Sequence, residues 1–314
     1  MTKGHSIALL ILAAMVCTLP NMTDDSYFIT LMIFSGINAI VAIGLCILMG
    51  SAGQVSLGQA GFYGIGAYAS SVLSQSFGLP VAASMICAAV ISAGAAVILA
   101  VPALRLKGHY LAVATLGFGE IIHIILNEFG PGGPSGFGDI PALSAGGFAM
   151  TDPAHVAWVV WGILLLLMVF SLNMLNARPG RALRALHGSE TACNAMGLNV
   201  VSLKIKVFVL SAVYASIAGS LYAHYVSFIS PSSFSLFHSV LLLMMVVLGG
   251  ITTVWGGLVG AVIITLLPET LKAFQELDVL VYGLILTLSL LFLRRGIVPI
   301  VTGKIHSLLE RRNA

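Results

Sequence analysis

The chain reads as a succession of long apolar runs separated by short polar breaks. Ten runs can be delimited, at residues 6–20, 27–49, 58–77, 80–102, 109–128, 155–175, 206–229, 235–250, 256–271 and 279–293. Stretches such as Val156 to Leu172 and Leu280 to Leu293 are apolar on every side, with neither the alternation of a half-buried strand nor a polar helical face. A helix needs about 20 mostly apolar residues to cross a bilayer, so the pattern predicts an all-α, polytopic transmembrane protein of roughly 8 to 10 spans. A membrane β-barrel would require short strands alternating apolar and polar residues, which are not present. A single membrane-spanning domain therefore takes up residues 1–314, its longest polar interruption lying at about 176–205.

Composition agrees with the pattern. Hydrophobic residues make up 59% of the chain and charged residues 8%, against about 45–50% and 25% in soluble domains. The four cysteines, Cys17, Cys46, Cys87 and Cys193, are scattered without C-x-x-C or metal-ligand spacing, which points to packing. Lys3 ahead of the apolar run from Ile7 to Val16 resembles a secretory leader, but no A-x-A site precedes the polar loop at Asn21 to Ser26. A short first crossing is the favoured reading.

Charge sets the expected topology. With the N-terminus inside, the start of the chain and segments 50–57, 103–108, 176–205, 251–255 and 294–314 face the cytoplasm, and thirteen of the fourteen lysines and arginines lie on that face, Lys272 being the exception. Asp24, Asp25, Glu128, Asp139, Asp152, Glu269, Glu276 and Asp278 fall on the other. This asymmetry follows the positive-inside rule and predicts both termini inside. The basic residues are dispersed among spans, so no nucleic-acid face is implied.

Two features interrupt the apolar pattern in ways that suggest function. The stretch GQVSLGQAGFYGIGAYAS, residues 53–70, places Gln54, Ser56, Gln59 and five glycines in the membrane region. Gly58, Gly61 and Gly64 recur every third residue, a spacing that lets another helix approach closely. Gly50 and Gly53 weaken the helix before them and free backbone groups, tolerable only against protein or a water-filled cavity. Gly249, Gly250, Gly256, Gly257 and Gly260 bracket ITTVW in the second half, and paired glycine-broken segments point to a transporter's pathway. On this reading Gln54, Ser56, Gln59 and Tyr63 line or gate that pathway; polar glue between packed spans is the alternative.

The second feature is the loop NARPGRALRALHGSETACNAMGLNVVSLKIK. Asn176 as a cap, Pro179 in the first turn and Gly197 as a stop predict a helix near 179–196. Arg178, Arg181 and Arg184 share one side, while Leu183, Leu186, Ala192, Ala195 and Met196 supply apolar and narrow surfaces. Such a helix either holds anionic lipid headgroups or docks in a groove of a cytoplasmic partner.

This loop with the span after it, GQVSLGQAGFYGIGAYAS, LRLKGHYLAVATLGFGEIIHIILNE, GGPSGFGDIP and VVLGGITTVWGGLVGAVI resemble, in order, motifs of the M-type permease subunits of branched-chain amino acid (Liv-type) ABC importers. The resemblance covers about residues 30–300. It implies an inner-membrane permease of bacteria that pairs with an H-type permease, two ATPase subunits and a periplasmic binding protein delivering leucine, isoleucine or valine. The loop is similar to the family's ATPase-coupling sequence. Glu190, Ala192 and Gly197 match it, while Thr191 stands where a stricter motif has alanine and the glycine comes one place later. With Arg181 and Arg184 these form the implied coupling surface.

The chemistry excluded is equally specific. No G-x-x-x-x-G-K-[ST] occurs, so the chain carries no phosphate cradle of its own and no cofactor is expected in it; ATP would bind to the partner ATPases. Gly133 to Gly136 form G-x-S-G, and His123 with Asn127 forms H-x-x-x-N, as in intramembrane serine proteases, but Ser135 falls in an external loop directly after the span bearing His123. One E-x-x-H, at Glu120 and His123, is half of what a di-iron bundle uses, and H-E-x-x-H is absent. Glu120 lies mid-span, where a carboxylate costs about 2.5–3.5 kcal/mol on insertion scales. It either faces the transport path or pairs with His123. His224 and His238, near the external ends of their spans, are read as interfacial packing, and Trp158, Trp161 and Trp255 as core or headgroup anchors. The rival functions are a related permease for urea, amides or other amino acids, and an ion-coupled secondary transporter using Glu120.

Overall fold

The computed structural model describes residues 8–14, 16, 18, 25–103, 108–145, 148–150, 152–270, 281, 283, 284, 287, 288 and 296–300. The expected span 279–293 therefore lies largely outside the described residues and span 6–20 partly so, while Lys272 lies wholly outside them. Between them the chain forms α1 (Ser26–Cys46), a π-helical turn (Ile47–Ser51), α2 (Gln59–Ser76), α3 (Val81–Ala103), α4 (His109–Phe129), α5 (Pro153–Asn176), α6 (Arg178–Gly188), α7 (Glu190–Ala195), α8 (Val200–Val226), α9 (Leu236–Gly249) and α10 (Val254–Thr270). A two-residue antiparallel hairpin pairs Ser144 with Ala149 and Ala145 with Phe148 in the loop before α5.

Local chemistry fixes the helix ends. Asp25 caps α1 by accepting from Tyr27 N at 2.9 Å, and Asp152 caps α5 through Ala154 N at 3.0 Å, with Pro153 in the first turn. Asn199 caps α8 through Ser202 N at 3.0 Å. These helix starts lie close to the expected boundaries except at α8, which begins at Val200 rather than 206 and so absorbs six residues assigned to the loop.

α1 is the centre of the bundle. It is apolar all round and is buried all round, as such a helix must be: 83% of its most apolar window lies inside the protein, against 17% for α4. α1 packs on α5, α8, α9 and α10, while α2 packs on α3, α4 and α8, so α8 joins the two groups. The α2–α8 seam is tight. A Cβ on Gly66 would lie 2.2 Å from Ser216 O, and one on Gly219 would lie 1.9 Å from Tyr63 O. Ser220 Oγ crosses the same seam to donate to Gly66 O at 3.0 Å. α9 and α10 close on one another through Gly249, Gly256 and Gly260 in the same manner, and Trp161 anchors α5 to α1 by donating to Met32 O at 3.1 Å.

The loops sort to two ends. At one end the π-turn lies against the α9–α10 connection, where Gly50 and Ile251 touch, and against α6. At the other, Phe137 and Ile229 exchange backbone hydrogen bonds of 2.9 and 3.0 Å, Ile140 N donates to Ser227 O at 3.3 Å, and Gln75 Nε2 donates to Gly138 O at 3.3 Å. Among the described residues, segments 50–57, 176–205 and 251–255 of the expected basic face thus meet at one end, and the loops around Asp139 and Ser227 meet at the other.

Candidate functional site

The break between α1 and α2 is the most polar part of the interior. After the π-turn, Gly53 takes φ +65° and the chain runs without helix or strand to Gly58. Along it residues alternate: Gln54 and Ser56 point inward and are buried, while Gly53 and Val55 are exposed. The polar side chains are inside and the apolar one outside, the reverse of a soluble surface. A non-helical segment packed into a helical bundle must have its backbone donors satisfied by protein. Gln54 N donates to Leu48 O at 3.2 Å, Leu57 N to Thr115 Oγ1 at 3.0 Å, Gly58 N to Ser56 Oγ at 3.5 Å and Ala60 N to Ser239 Oγ at 3.1 Å.

α2 then rises from this break to the opposite end, where Gln75 meets Gly138, so the segment that begins with residues 53–70 crosses the bundle. Gly58, Gly61 and Gly64 seat α4, with Cβ positions 2.3 Å from Thr115 O, 3.1 Å from Gly119 Cα and 3.0 Å from Leu126 Cδ1. Gln59, 1% exposed, donates from Nε2 to Ser211 Oγ on α8 at 3.0 Å, whereas its Oε1 has no hydrogen-bond partner. Gln54, 3% exposed, leaves both amide atoms unpartnered. Each buried polar atom so left costs about 1–3 kcal/mol. One turn above Gln59, the buried Tyr63 ring lies 5.1 Å from His238, 5.6 Å from Phe234 and 5.7 Å from Tyr222. His238 Nε2 is also buried without a partner, and His224 Nδ1 lies 2.8 Å from Pro141 O. His224 is buried among protein atoms, and His238 is half-buried with its Nε2 enclosed.

Glu120 stands apart. α4 presents Thr115, Gly119 and Ile122 to α2, and Glu120 points the other way, exposed. No ion pair joins it to His123 among the described residues, and His123 Nδ1 is buried without a partner. The proposed pathway residues thus fall into two sets, Gln54, Ser56, Gln59 and Tyr63 within the bundle and Glu120 on its outside.

The arginine loop is a bracket of two helices rather than the single helix expected at 179–196. The break is at Ser189, whose backbone is extended (φ −163°, ψ 116°) and whose Oγ caps α7 by accepting from Ala192 N at 3.2 Å. Asn176 does not cap α6; its Nδ2 turns back to Leu172 O at 2.8 Å, because Ala177 occupies the cap position. Gly197 stops α7 with φ +78°, and the paired bonds Gly197 N to Asn194 O and Leu198 N to Cys193 O, both 3.0 Å, close the turn.

α6 is docked by the buried Gly180, Leu183 and Leu186. Arg184 donates to Leu175 O at 2.9 Å, while Arg181 and Ala192 remain exposed. Glu190 is not free to offer charge elsewhere, since it forms an ion pair with Lys204, a lysine 7% exposed on the first turns of α8. At the inner edge of the bracket, a Cβ on Gly53 would lie 3.0 Å from His187 Nδ1. The bracket therefore touches the start of the polar break. Thr115, Ser211, Ser239, His187 and Lys204 all contribute to the site without standing out in the sequence. Each is a small polar or basic residue, and all but Lys204 have a partner far along the chain. Ser135 sits in a single 3-10 turn at Gly133–Ser135, in the loop directly after α4.

A helical bundle that encloses a glycine-broken polar segment, with a docked two-helix bracket at one end of it, has the architecture of a multi-pass membrane permease. The chain belongs to the family described as branched-chain amino acid transport system / permease component, which it matches over residues 27–290. It is 34% identical to the high-affinity branched-chain amino acid transport system permease protein LivM of Salmonella typhimurium over 285 residues, 83% of this chain and 67% of the relative. LivM of Escherichia coli K12 gives the same figures. The ribose import permease protein RbsC of Escherichia coli K12 is 30% identical over 286 residues, 87% of this chain and 86% of the relative. No solved structure matches the chain.

Proposed function

We propose that the chain is the membrane-spanning subunit of an ATP-binding-cassette importer of leucine, isoleucine or valine in a bacterial inner membrane. In that assembly it pairs with a second permease of the H-type, two ATPase subunits and a periplasmic binding protein. It forms no covalent intermediate, holds no cofactor, and changes which side of the membrane its polar path faces. The observation that carries this reading is the contact between the bracket and the break. A force applied to α6 from the cytoplasm bears directly on Gly53, the first residue of the segment holding Gln54, Ser56 and Gln59. Arg181, Ala192 and the surroundings of Gly197 form the exposed docking surface, Arg184 and the Glu190–Lys204 pair brace it, and the unpartnered amides of Gln54 and Gln59 supply hydrogen bonds to water or solute groups in the path.

The test is reconstitution of the full assembly in vesicles, with uptake of radiolabelled leucine, isoleucine and valine measured with and without ATP. Accumulation that needs ATP and the ATPase subunits supports the reading. Accumulation abolished by a protonophore and independent of the ATPases would establish the secondary-transporter reading instead. Because the ribose permease shares nearly the full chain length, ribose, urea and amides belong in the competition series. Uptake of one of these in preference to leucine would keep the class and replace the substrate.

A further inference from the structure

The outward face of α4 is the part of the bundle least explained by its own contacts. Val113, Gly117, Glu120 and Ile124 fall on one side of the helix, opposite the Thr115, Gly119 and Ile122 side that packs on α2. Val113 is 65% exposed, Ile124 is 53% exposed, and nothing lies within 4 Å of a Cβ placed on Gly117. At the centre of this stripe stands Glu120, eleven residues into a 21-residue helix and therefore near mid-membrane. A lipid-facing stripe is apolar throughout, since a carboxylate there has neither water nor a hydrogen-bonding partner. Glu120 is exposed and makes no ion pair within the described chain, so the group that satisfies it belongs to another molecule.

We infer that the Val113–Gly117–Glu120–Ile124 stripe is the surface on which a second, different permease polypeptide seats, with Glu120 meeting a cationic or hydrogen-bond-donating side chain of that subunit. This rests on the permease-subunit reading above. Gly117 leaves the groove a neighbouring helix needs for close approach. A second copy of this chain is the wrong occupant. A two-fold pairing through this stripe would set one Glu120 against the other, two like charges in a medium of low dielectric constant. A distinct chain with a donor at that depth removes the conflict, which makes this stripe a determinant of unlike pairing.

The experiment is site-specific photocrosslinking in the intact transporter, expressed with its cognate subunits and held in lipid nanodiscs. A benzophenone amino acid replaces Val113 or Ile124, with the 67%-exposed Leu166 of α5 as the reference position. Glu120 stays in place throughout, so assembly is not compromised. The expected result is a covalent product with the other permease polypeptide from Val113 and Ile124, identified by peptide mass, and none from Leu166. Labelling of lipid alone, a product with a second copy of this chain, or no excess over Leu166 would overturn the inference.

A functional arm compares Glu120→Leu with Glu120→Gln at equal amounts of assembled complex. Losing the hydrogen bond should lower ATP-driven uptake about tenfold in Glu120→Leu, while Glu120→Gln, which keeps a polar head, stays within about threefold of the parent. Equal uptake by the two variants would count against the assignment. Crosslinking needs neither ATP nor solute, so a product formed by a complex that ignores leucine would sink the substrate reading alone. Lipid labelling in a complex that imports leucine would sink the inference alone.

Discussion

Gly66 has no room for even a methyl group. Its Cβ position lies 2.2–2.7 Å from three Ser216 backbone atoms, and backbone cannot rotate away as a side chain can. Gly66→Ala is expected to destabilise the protein by about 1–3 kcal/mol. Gly94→Ala, at a site with nothing within 4 Å, should be neutral or slightly stabilising. Thermal inactivation midpoints of the two variants in the same lipid will separate them. At Gln59, replacement by leucine removes the bond to Ser211 and the unpartnered oxygen together. Stability should therefore change by less than about 1 kcal/mol, while uptake falls if the amide serves the path; unchanged uptake with normal ATPase coupling would remove Gln59 from it. The three-residue spacing of Gly58, Gly61 and Gly64 already predicts a close helix in the sequence. Gly66 offers no such signal, because its partners Ser216 and Ser220 lie some 150 residues away and small residues in a membrane span have no fixed spacing to search for.

At the scale of elements, the bracket and the break are one unit. Gly53→Ala should be unfavourable for two separable reasons, its φ of +65°, costing about 1–2 kcal/mol, and its contact with His187. Adding His187→Ala should recover the contact part and leave the conformational part, a pattern that a double-mutant cycle on complex stability resolves. Glu190→Ala strands the 7%-exposed Lys204 without its partner. It should cost more than the Glu190→Ala, Lys204→Ala double substitution, by about 1–2 kcal/mol given that Glu190 is part-exposed. The sequence pattern predicts one helix here because Asn176 and Pro179 give one start signal and Gly197 one stop signal. Ser189, in GSE, carried the cap signal for a second start, and Gly188 before it weakens a continuous helix. The extra six residues of α8 were hidden for a different reason. Lys204 and Lys206 look like loop residues until Glu190 is seen to neutralise the first.

For the whole molecule, the proposed assembly predicts that this chain, reconstituted without other subunits, accumulates no branched-chain amino acid against a gradient, and that adding the partner permease, both ATPases, the binding protein and ATP restores accumulation. Counterflow and ATP-driven uptake in the same vesicles will check it. The helical class, the two ends and most helix boundaries were legible from hydropathy and charge, since the bilayer imposes length and the positive-inside rule imposes sides. Which faces meet protein and which meet lipid was not, because core and lipid demand the same apolar residues. That is why Glu120 could be placed at mid-span from sequence but not on the outside of α4, and why α1 and α3, equally apolar at a mean hydropathy of 2.4, end up 83% and 28% buried.

The π-helical turn at Ile47–Ser51 holds one more residue than an α-helical turn would, and it sits directly upstream of a segment whose residues alternate inward and outward. Because burial alternates from Gly53 to Ser56, a change of that turn by a single residue that carried the segment along by one position would set Gly53 and Val55 where Gln54 and Ser56 now sit, exchanging buried amide and hydroxyl groups for an apolar side chain.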